Sequence, residues 1–232
     1  MILRSWISLA LLLTTAAACQ QIRGPAAPTQ KAAVPFQGCA SDGQTGPLPA
    51  PKPPTVAVLV DASVAEKLSY YKAENGAGVL GPRGWNCVGM YGSSGSSLFV
   101  TPSSLNIDTW ESITASVEGA RTGPAIEVSA WSGETSGRFQ VARIVADVFP
   151  ASRGSYRNDR LVYRGNRVVE YETPASNEGL GTFGRLKESQ DPILGVAILR
   201  GETPDLVLLA VRLPANLTNL ATPIMQRVEE EN

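Results

Sequence analysis

The segment of residues 81–102 constrains the fold of this chain more than any other stretch. It reads GPRGWNCVGMYGSSGSSLFVTP. Residues 85–91 alternate with a period of two, which is typical of a β-strand, and residues 98–101 are β-prone. The glycines and serines of residues 92–96 between them are typical of a turn. We therefore predict a β-hairpin that carries Cys87 in its first strand and follows a tight turn at residues 81–84.

The N-terminus has the pattern of a bacterial export signal. Arg4 precedes an apolar run at residues 6–13, and small residues lead up to Cys19. The run is too short to span a membrane, so residues 1–18 are predicted to be a signal peptide. The small residues before Cys19 resemble the lipobox of bacterial lipoproteins. Two outcomes stay open, a lipid-anchored protein acylated at Cys19 and a secreted protein with a free Cys19.

The number of cysteines favours the lipoprotein. The chain has three cysteines, which leaves an odd thiol in an exported protein. If Cys19 carries lipid, Cys39 and Cys87 remain as a pair, and we predict a disulfide between them. The predicted location is the membrane of the cell envelope. Gln20 follows the anchor, and by resemblance to Gram-negative lipoprotein sorting this favours the outer membrane, facing the periplasm.

Composition divides the rest of the chain in two. Residues 19–54 are rich in proline and alanine, which predicts a flexible tether that cannot bury a core. A bond from Cys39 to Cys87 would draw the middle of this tether onto the body. Residues 55–232 are long enough for one globular domain with one core.

The predicted elements of that domain mix hairpins with helices. We expect a helix that opens with a capping box at Ser63 and Glu66 and ends near Gly76, and a second helix capped by Asp108. A strand at 125–131 is followed by a helix at 137–149 with Phe139, Ala142, Val145 and Phe149 on its buried side. A hairpin turns at residues 165–166, two buried central strands cover 193–199 and 206–213, and a last helix covers 222–231. This order predicts an α+β domain, a mainly antiparallel sheet with helices on one face.

The chain contains no histidine, and this excludes many chemistries. Ser-His-Asp and Cys-His nucleophile pairs, histidine-containing zinc sites and imidazole pH switches all need that side chain. The net charge is -1 and no basic run occurs, so no nucleic-acid partner is expected. No cofactor and no metal site are predicted either.

The remaining candidates for catalysis are carboxylates. Glu170 and Glu172 share one side of a predicted strand, and Glu178 lies in a glycine-rich loop beyond it. Two carboxyl groups at a suitable separation can hydrolyse a glycosidic bond. The favoured alternative is that Glu170 and Glu172 lie on the solvated face of an edge strand. The loop with Glu178 then remains a candidate ligand-binding edge.

Aromatic residues and one arginine supply further binding candidates. Trp85, Trp110 and Trp131 are a possible sugar-stacking platform, although packing in the core is the favoured role for each. Arg83 and Trp85, at the entrance to the central hairpin, are the second candidate binding site after the Glu178 loop.

Several segments resemble a family of uncharacterised exported bacterial proteins. They are YYKAENG at 70–76, GPRGWNC at 81–87, YGSSG at 91–95, EYETP at 170–174 and EGLGT at 178–182. The resemblance covers most of the chain after Cys39. It implies export, but no activity, cofactor or catalytic residue.

Two functions follow from these observations. The preferred one is a non-catalytic envelope lipoprotein whose domain binds a partner protein or cell-wall material, with the membrane as partner through Cys19. The alternative is a carboxylate-dependent hydrolase of envelope glycans. A cleft holding two of the three candidate carboxylates would favour the hydrolase.

Overall fold

The computed structural model describes residues 30–149 and 158–232. The strands in these ranges are β1 (Lys31–Ala33), β2 (Phe36–Cys39), β3 (Ser41–Gly43), β4 (Leu59–Asp61), β5 (Leu68–Ala73), β6 (Val79–Pro82), β7 (Asn86–Gly92), β8 (Gly95–Thr101), β9 (Ala125–Trp131), β10 (Arg160–Arg164), β11 (Val168–Thr173), β12 (Ile193–Arg200) and β13 (Asp205–Arg212). The α-helices are α1 (Ala62–Ala65), α2 (Trp110–Ala120), α3 (Arg138–Val148) and α4 (Ala221–Glu231). Two short 3-10 helices cover Leu180–Thr182 and Ala215–Leu220.

Eight of the strands form one large sheet, in the order β10-β11-β12-β13-β9-β8-β7-β3. All neighbours run antiparallel except β3, which is parallel to β7. The two apolar runs predicted as central strands are β12 and β13, and they lie inside the sheet. Their alternate side chains are buried on opposite faces, because both faces of the sheet are covered.

Different layers cover the two faces of the large sheet. Leu206 and Leu208 of β13 pack in the core beneath α2 and α3. Val207 and Leu209 point to the other face, where the core includes α4 and the small sheet β2-β5-β6. The predicted class, an α+β domain built on a mainly antiparallel sheet, is confirmed. Helices α2 and α3 share one face as expected, and α4 accompanies the small sheet on the other.

The segment before residue 55 joins this body. β2 pairs in parallel with β5, and β3 pairs in parallel with β7. The predicted disulfide between Cys39 and Cys87 is confirmed, with an S–S distance of 2.01 Å. Residues 31–43 therefore differ from the flexible tether that we predicted, because their strands pair with strands of the folded body. The signal peptide, Cys19 and the first part of the tether lie outside the described residues.

Both predicted hairpins are present. β7 and β8 are joined by a two-residue turn at Ser93 and Ser94, and the register pairs Cys87 with Val100. β10 and β11 are joined at residues 165–167, where Gly165 has a φ of 75°, a conformation that glycine adopts without strain. Local turn chemistry was sufficient to predict both hairpins.

Three details of the helices differ from the predictions. The helix expected from Ser63 to Gly76 is only α1, capped by Asp61, and the chain then enters β5 because the residues from Leu68 to Tyr71 are all buried between layers. α2 is capped by Thr109 instead of Asp108. α3 buries Val141, Ile144 and Val148, while Phe139 is 66% exposed.

No helix within residues 30–149 and 158–232 combines the length and apolar character that crossing a bilayer requires.

Candidate functional site

An open cleft of about 610 Å³ lies on the face of the large sheet that α2 and α3 cover. Its floor is formed by β7, β8 and β9. Its walls come from the first residue of α2, the first half of α3 and the loop at residues 183–185. Clefts of this size, which combine apolar walls with a few polar groups, are the usual places for small ligands. This cleft is our candidate functional site.

The sequence of β9 places a glutamate on the floor of the cleft. In AIEVSAW, every second side chain points toward the helices, and these side chains are Ala125, Glu127, Ser129 and Trp131. Glu127 lies opposite Phe99 on β8 and Ala210 on β13, so strands flank it on both sides. It is 3% exposed, which makes it a carboxylate buried in the middle of a sheet.

Hydrogen bonds satisfy both oxygens of Glu127. Oε1 accepts from the Ser129 hydroxyl at 3.1 Å, and Oε2 accepts from the backbone N–H of Arg185 at 2.6 Å. Gly184 permits this approach, because a Cβ at that position would lie 2.5 Å from Oε2. The carboxylate therefore holds the loop at residues 183–185 in place.

Burial raises the pKa of Glu127. Four interactions oppose the rise, and the largest is the backbone hydrogen bond from Arg185, followed by the charge of the Arg185 guanidinium. The hydroxyl of Ser129 and the backbone N–H of Leu186 contribute the rest. The net direction is upward, so Glu127 retains its proton to a higher pH than an exposed glutamate.

Aromatic side chains line the cleft from three elements. Trp131 of β9 meets Phe183 of the loop edge to face, with ring centres 5.6 Å apart. The guanidinium of Arg143 on α3 lies 5.3 Å from the centre of the Phe183 ring. Trp110, the first residue of α2, is 40% exposed, and Phe139, the second residue of α3, is 66% exposed. These two rings are available for contact with a ligand.

A second buried ionisable side chain, that of Arg212, binds the far end of the same loop. Arg212 of β13 is fully buried and donates to the carbonyls of Arg121 at 3.0 Å and Gly123 at 3.2 Å, and also to that of Lys187. The backbone N–H of Lys187 donates to Arg121 at 3.0 Å. Burial lowers the pKa of Arg212. Glu127 and Arg212 thus fix the loop from two sides, which orders the wall of the cleft before any ligand binds.

The three carboxylates singled out from the sequence do not line this cleft. Glu170 pairs with Arg164 at 2.8 Å, and Glu172 pairs with Arg160 at 3.3 Å. Both alternate along β11 with Val169 and Tyr171, which face the helix-covered core, so both glutamates point to the opposite face. Glu178 is exposed in its loop.

The other candidates from the sequence are divided between two places. Arg83 is exposed and donates to the carbonyl of Ala65 at 3.1 Å. Trp85 lines a separate pocket of about 460 Å³ beside Cys87, and its backbone N–H donates to the hydroxyl of Tyr71 at 3.1 Å. Of the three tryptophans proposed as a platform, Trp110 and Trp131 line the cleft and Trp85 does not.

Sequence reasoning missed Glu127, Arg143 and Phe183. A signal for Glu127 existed, because strict alternation in residues 125–131 places a charged side chain on the same face as Trp131. Arg143 and Phe183 have no comparable local signal, since their approach depends on how α3 and the loop pack on the sheet.

Within residues 30–149 and 158–232, no group of three cysteine, aspartate or glutamate side chains is placed to hold a metal ion. No family model matches the chain, and no curated protein or solved structure gives a significant match.

Proposed function

We propose that this protein is an exported envelope lipoprotein whose domain binds cell-wall glycan, without catalysis, in the Glu127 cleft. The observation that carries the proposal is the aromatic lining of an ordered cleft. Exposed faces of Trp110 and Phe139 suit the apolar faces of sugar rings. The hydroxyls of Ser97 and Ser129 on the floor suit their hydroxyl groups.

The state of Glu127 supports binding over hydrolysis. Its oxygens are already occupied by protein donors, and Glu127 is the one acidic side chain among the described residues that line the cleft. Glycoside hydrolysis needs two carboxyl groups across the scissile bond. The alternative hydrolase would have to use Glu170, Glu172 and Glu178. The ion pairs of Glu170 and Glu172 give it no support.

Location is part of the proposal. The lipid on Cys19 would tether the domain to the membrane of the cell envelope. In a Gram-negative cell this would be the outer membrane, with the domain facing the periplasm. Cell-wall glycan would then be within reach of the domain. Export is also what the resemblance to exported bacterial proteins implies.

Binding of soluble glycan fragments to the purified full-length protein tests the proposal. We expect Trp110→Ala to weaken binding at least tenfold, which corresponds to about 1.4 kcal/mol. Ile107→Ala is the matched control, because Ile107 is 44% exposed and lies outside the cleft. The triple change of Glu170, Glu172 and Glu178 to Gln should leave binding unchanged. Undiminished binding by Trp110→Ala, or cleavage of the fragments by the wild-type protein, would contradict the proposal.

A further inference from the structure

The arginines beside the cleft differ from the other arginines that the structure describes. Arg143 and Arg185 line the cleft, and Arg138 stacks on Phe139 at its mouth, 4.9 Å from the ring centre. Among the described residues, none of these three guanidinium groups has a carboxylate oxygen within 4.0 Å. Their side chains have no hydrogen-bond acceptor there either.

Each remaining described arginine has a polar partner for its side chain. Some pair with carboxylates, and the others donate to a carbonyl or to an amide oxygen: Arg83, Arg121, Arg160, Arg164, Arg167, Arg200, Arg212 and Arg227. Unpaired guanidinium groups are therefore concentrated at one place in a chain whose net charge is -1. Such a local excess attracts an anion.

We propose that the ligand of the cleft is an acidic saccharide, one with a carboxylate substituent that Arg143 and Arg185 bind. This inference rests on the proposed function, because it assumes that the cleft takes a sugar. A guanidinium presents a planar fork of donors that matches a carboxylate. The guanidinium of Arg143 lies over Phe183, so one ligand can contact the ring and the fork together.

Glu127 is the one acidic side chain among the described residues that line the cleft. Glu127 forms part of the floor, and Arg185 is near enough for its charge to oppose the rise in the pKa of Glu127. The two guanidinium groups outnumber this one carboxyl group, whose neutral form burial favours, so the cleft keeps an excess of positive charge for a carboxylate.

Two tetrasaccharides that differ in their carboxylates test the inference. One alternates N-acetylglucosamine with N-acetylmuramic acid, and the other contains N-acetylglucosamine alone. With the full-length protein at low ionic strength, we expect the carboxylated probe to bind at least tenfold more tightly. Added salt should narrow the difference, because it screens the charges.

Variants assign the effect to the two arginines. Arg143→Gln and Arg185→Gln should each reduce the preference for the carboxylated probe and leave binding of the neutral probe within twofold. Arg143→Lys should restore only part of the preference, because lysine keeps the charge but lacks the fork. Arg167→Gln is the control, since Arg167 donates to the carbonyl of Gly201 away from the cleft.

The outcomes separate this inference from the proposed function. Equal affinity for both probes would overturn the acidic ligand and leave glycan binding intact. Tighter binding of N-acetylglucosamine 6-phosphate than of N-acetylmuramic acid would overturn the carboxylate in favour of a phosphate. Failure of both tetrasaccharides to bind would overturn the proposed function itself.

Discussion

At the residue scale, Glu127 couples the stability of the domain to pH. Its ordinary pKa is 4.5, and burial raises the pKa in the folded protein. Between the two values the folded state binds more protons than the unfolded state. The free energy of unfolding therefore falls as pH rises above about 4.5, and this contribution levels off above the raised pKa.

Replacement of Glu127 by Gln should remove that dependence. The Gln oxygen can accept from the backbone N–H groups of Arg185 and Leu186, while its amide donates to Ser129. We expect Glu127→Gln to be at least as stable as the wild type at pH 7, with a flatter profile from pH 4.5 to 7. Denaturant unfolding at several pH values in that range measures the free energy of unfolding and its dependence on pH. Glu127→Ala, which leaves the N–H groups unpaired, should lose about 1–3 kcal/mol at every pH. An equal loss in Glu127→Gln at pH 7 would mean that the ionised carboxylate holds the loop.

At the scale of elements, the disulfide links the two sheets. Cys39 ends β2 in the small sheet, and Cys87 lies on β7 in the large one. The bond closes a loop over a sequence separation of 48 residues. In the chain-entropy model such a loop is worth about 4 kcal/mol. The disulfide therefore also fixes β2 and β3, which have few residues with which to hold themselves in place.

Removal of the disulfide should affect the N-terminal strands first. We expect the double change Cys39→Ala and Cys87→Ala to lower the free energy of unfolding by about 4 kcal/mol. Amide hydrogen exchange should accelerate in β2 and β3 more than in β12 and β13, whose exchange needs wider unfolding. Cys19→Ala serves as the control for the loss of a cysteine as such. Unchanged exchange in β2 together with unchanged stability would show that the ladders alone dock this segment.

At the scale of the whole molecule, the large sheet has a hydrophobic core on each face. The candidate site is the part of one face that the helices leave uncovered. The small sheet and α4 cover one face, while α2 and α3 leave the region over the hairpin end of β7, β8 and β9 open. The residues that line the site lie between Met90 and Arg185, far along the chain from the proposed lipid anchor at Cys19. Loss of the anchor should change location and leave the cleft unchanged.

The anchor is tested by substitution of Cys19. Wild-type protein expressed in a bacterial host should sediment with membranes and partition into detergent, because an acyl chain contributes membrane affinity with each buried CH₂. Cys19→Ser should lose both properties and keep the affinity for glycan fragments. Cys87→Ser, which removes a cysteine away from the signal, should still partition into detergent. A mature wild-type protein that is soluble and has an unblocked N-terminus would contradict the anchor.

The sequence by itself determined the features that depend on a few neighbouring residues. Turn residues at 92–96 and 165–166 predicted both hairpins, and the apolar runs predicted β12 and β13. The count of cysteines predicted the disulfide. Each of these signals is local in the chain or follows from arithmetic, so no knowledge of the packing was needed.

Tertiary structure alone decided the rest. β9 lies between β8 and β13, which are far apart in the chain, and this order buries Glu127 among partners that no local pattern reveals. The packing of α3 on the large sheet buries Val141 and leaves Phe139 exposed. Residues 68–73 form a strand because layers bury them on both sides. The cleft forms where this long-range packing leaves part of the large sheet uncovered. The sequence pointed to Trp110 and Trp131, but it could not show which side chains join them around the cleft, because packing, which is not local, determines which side chains become neighbours.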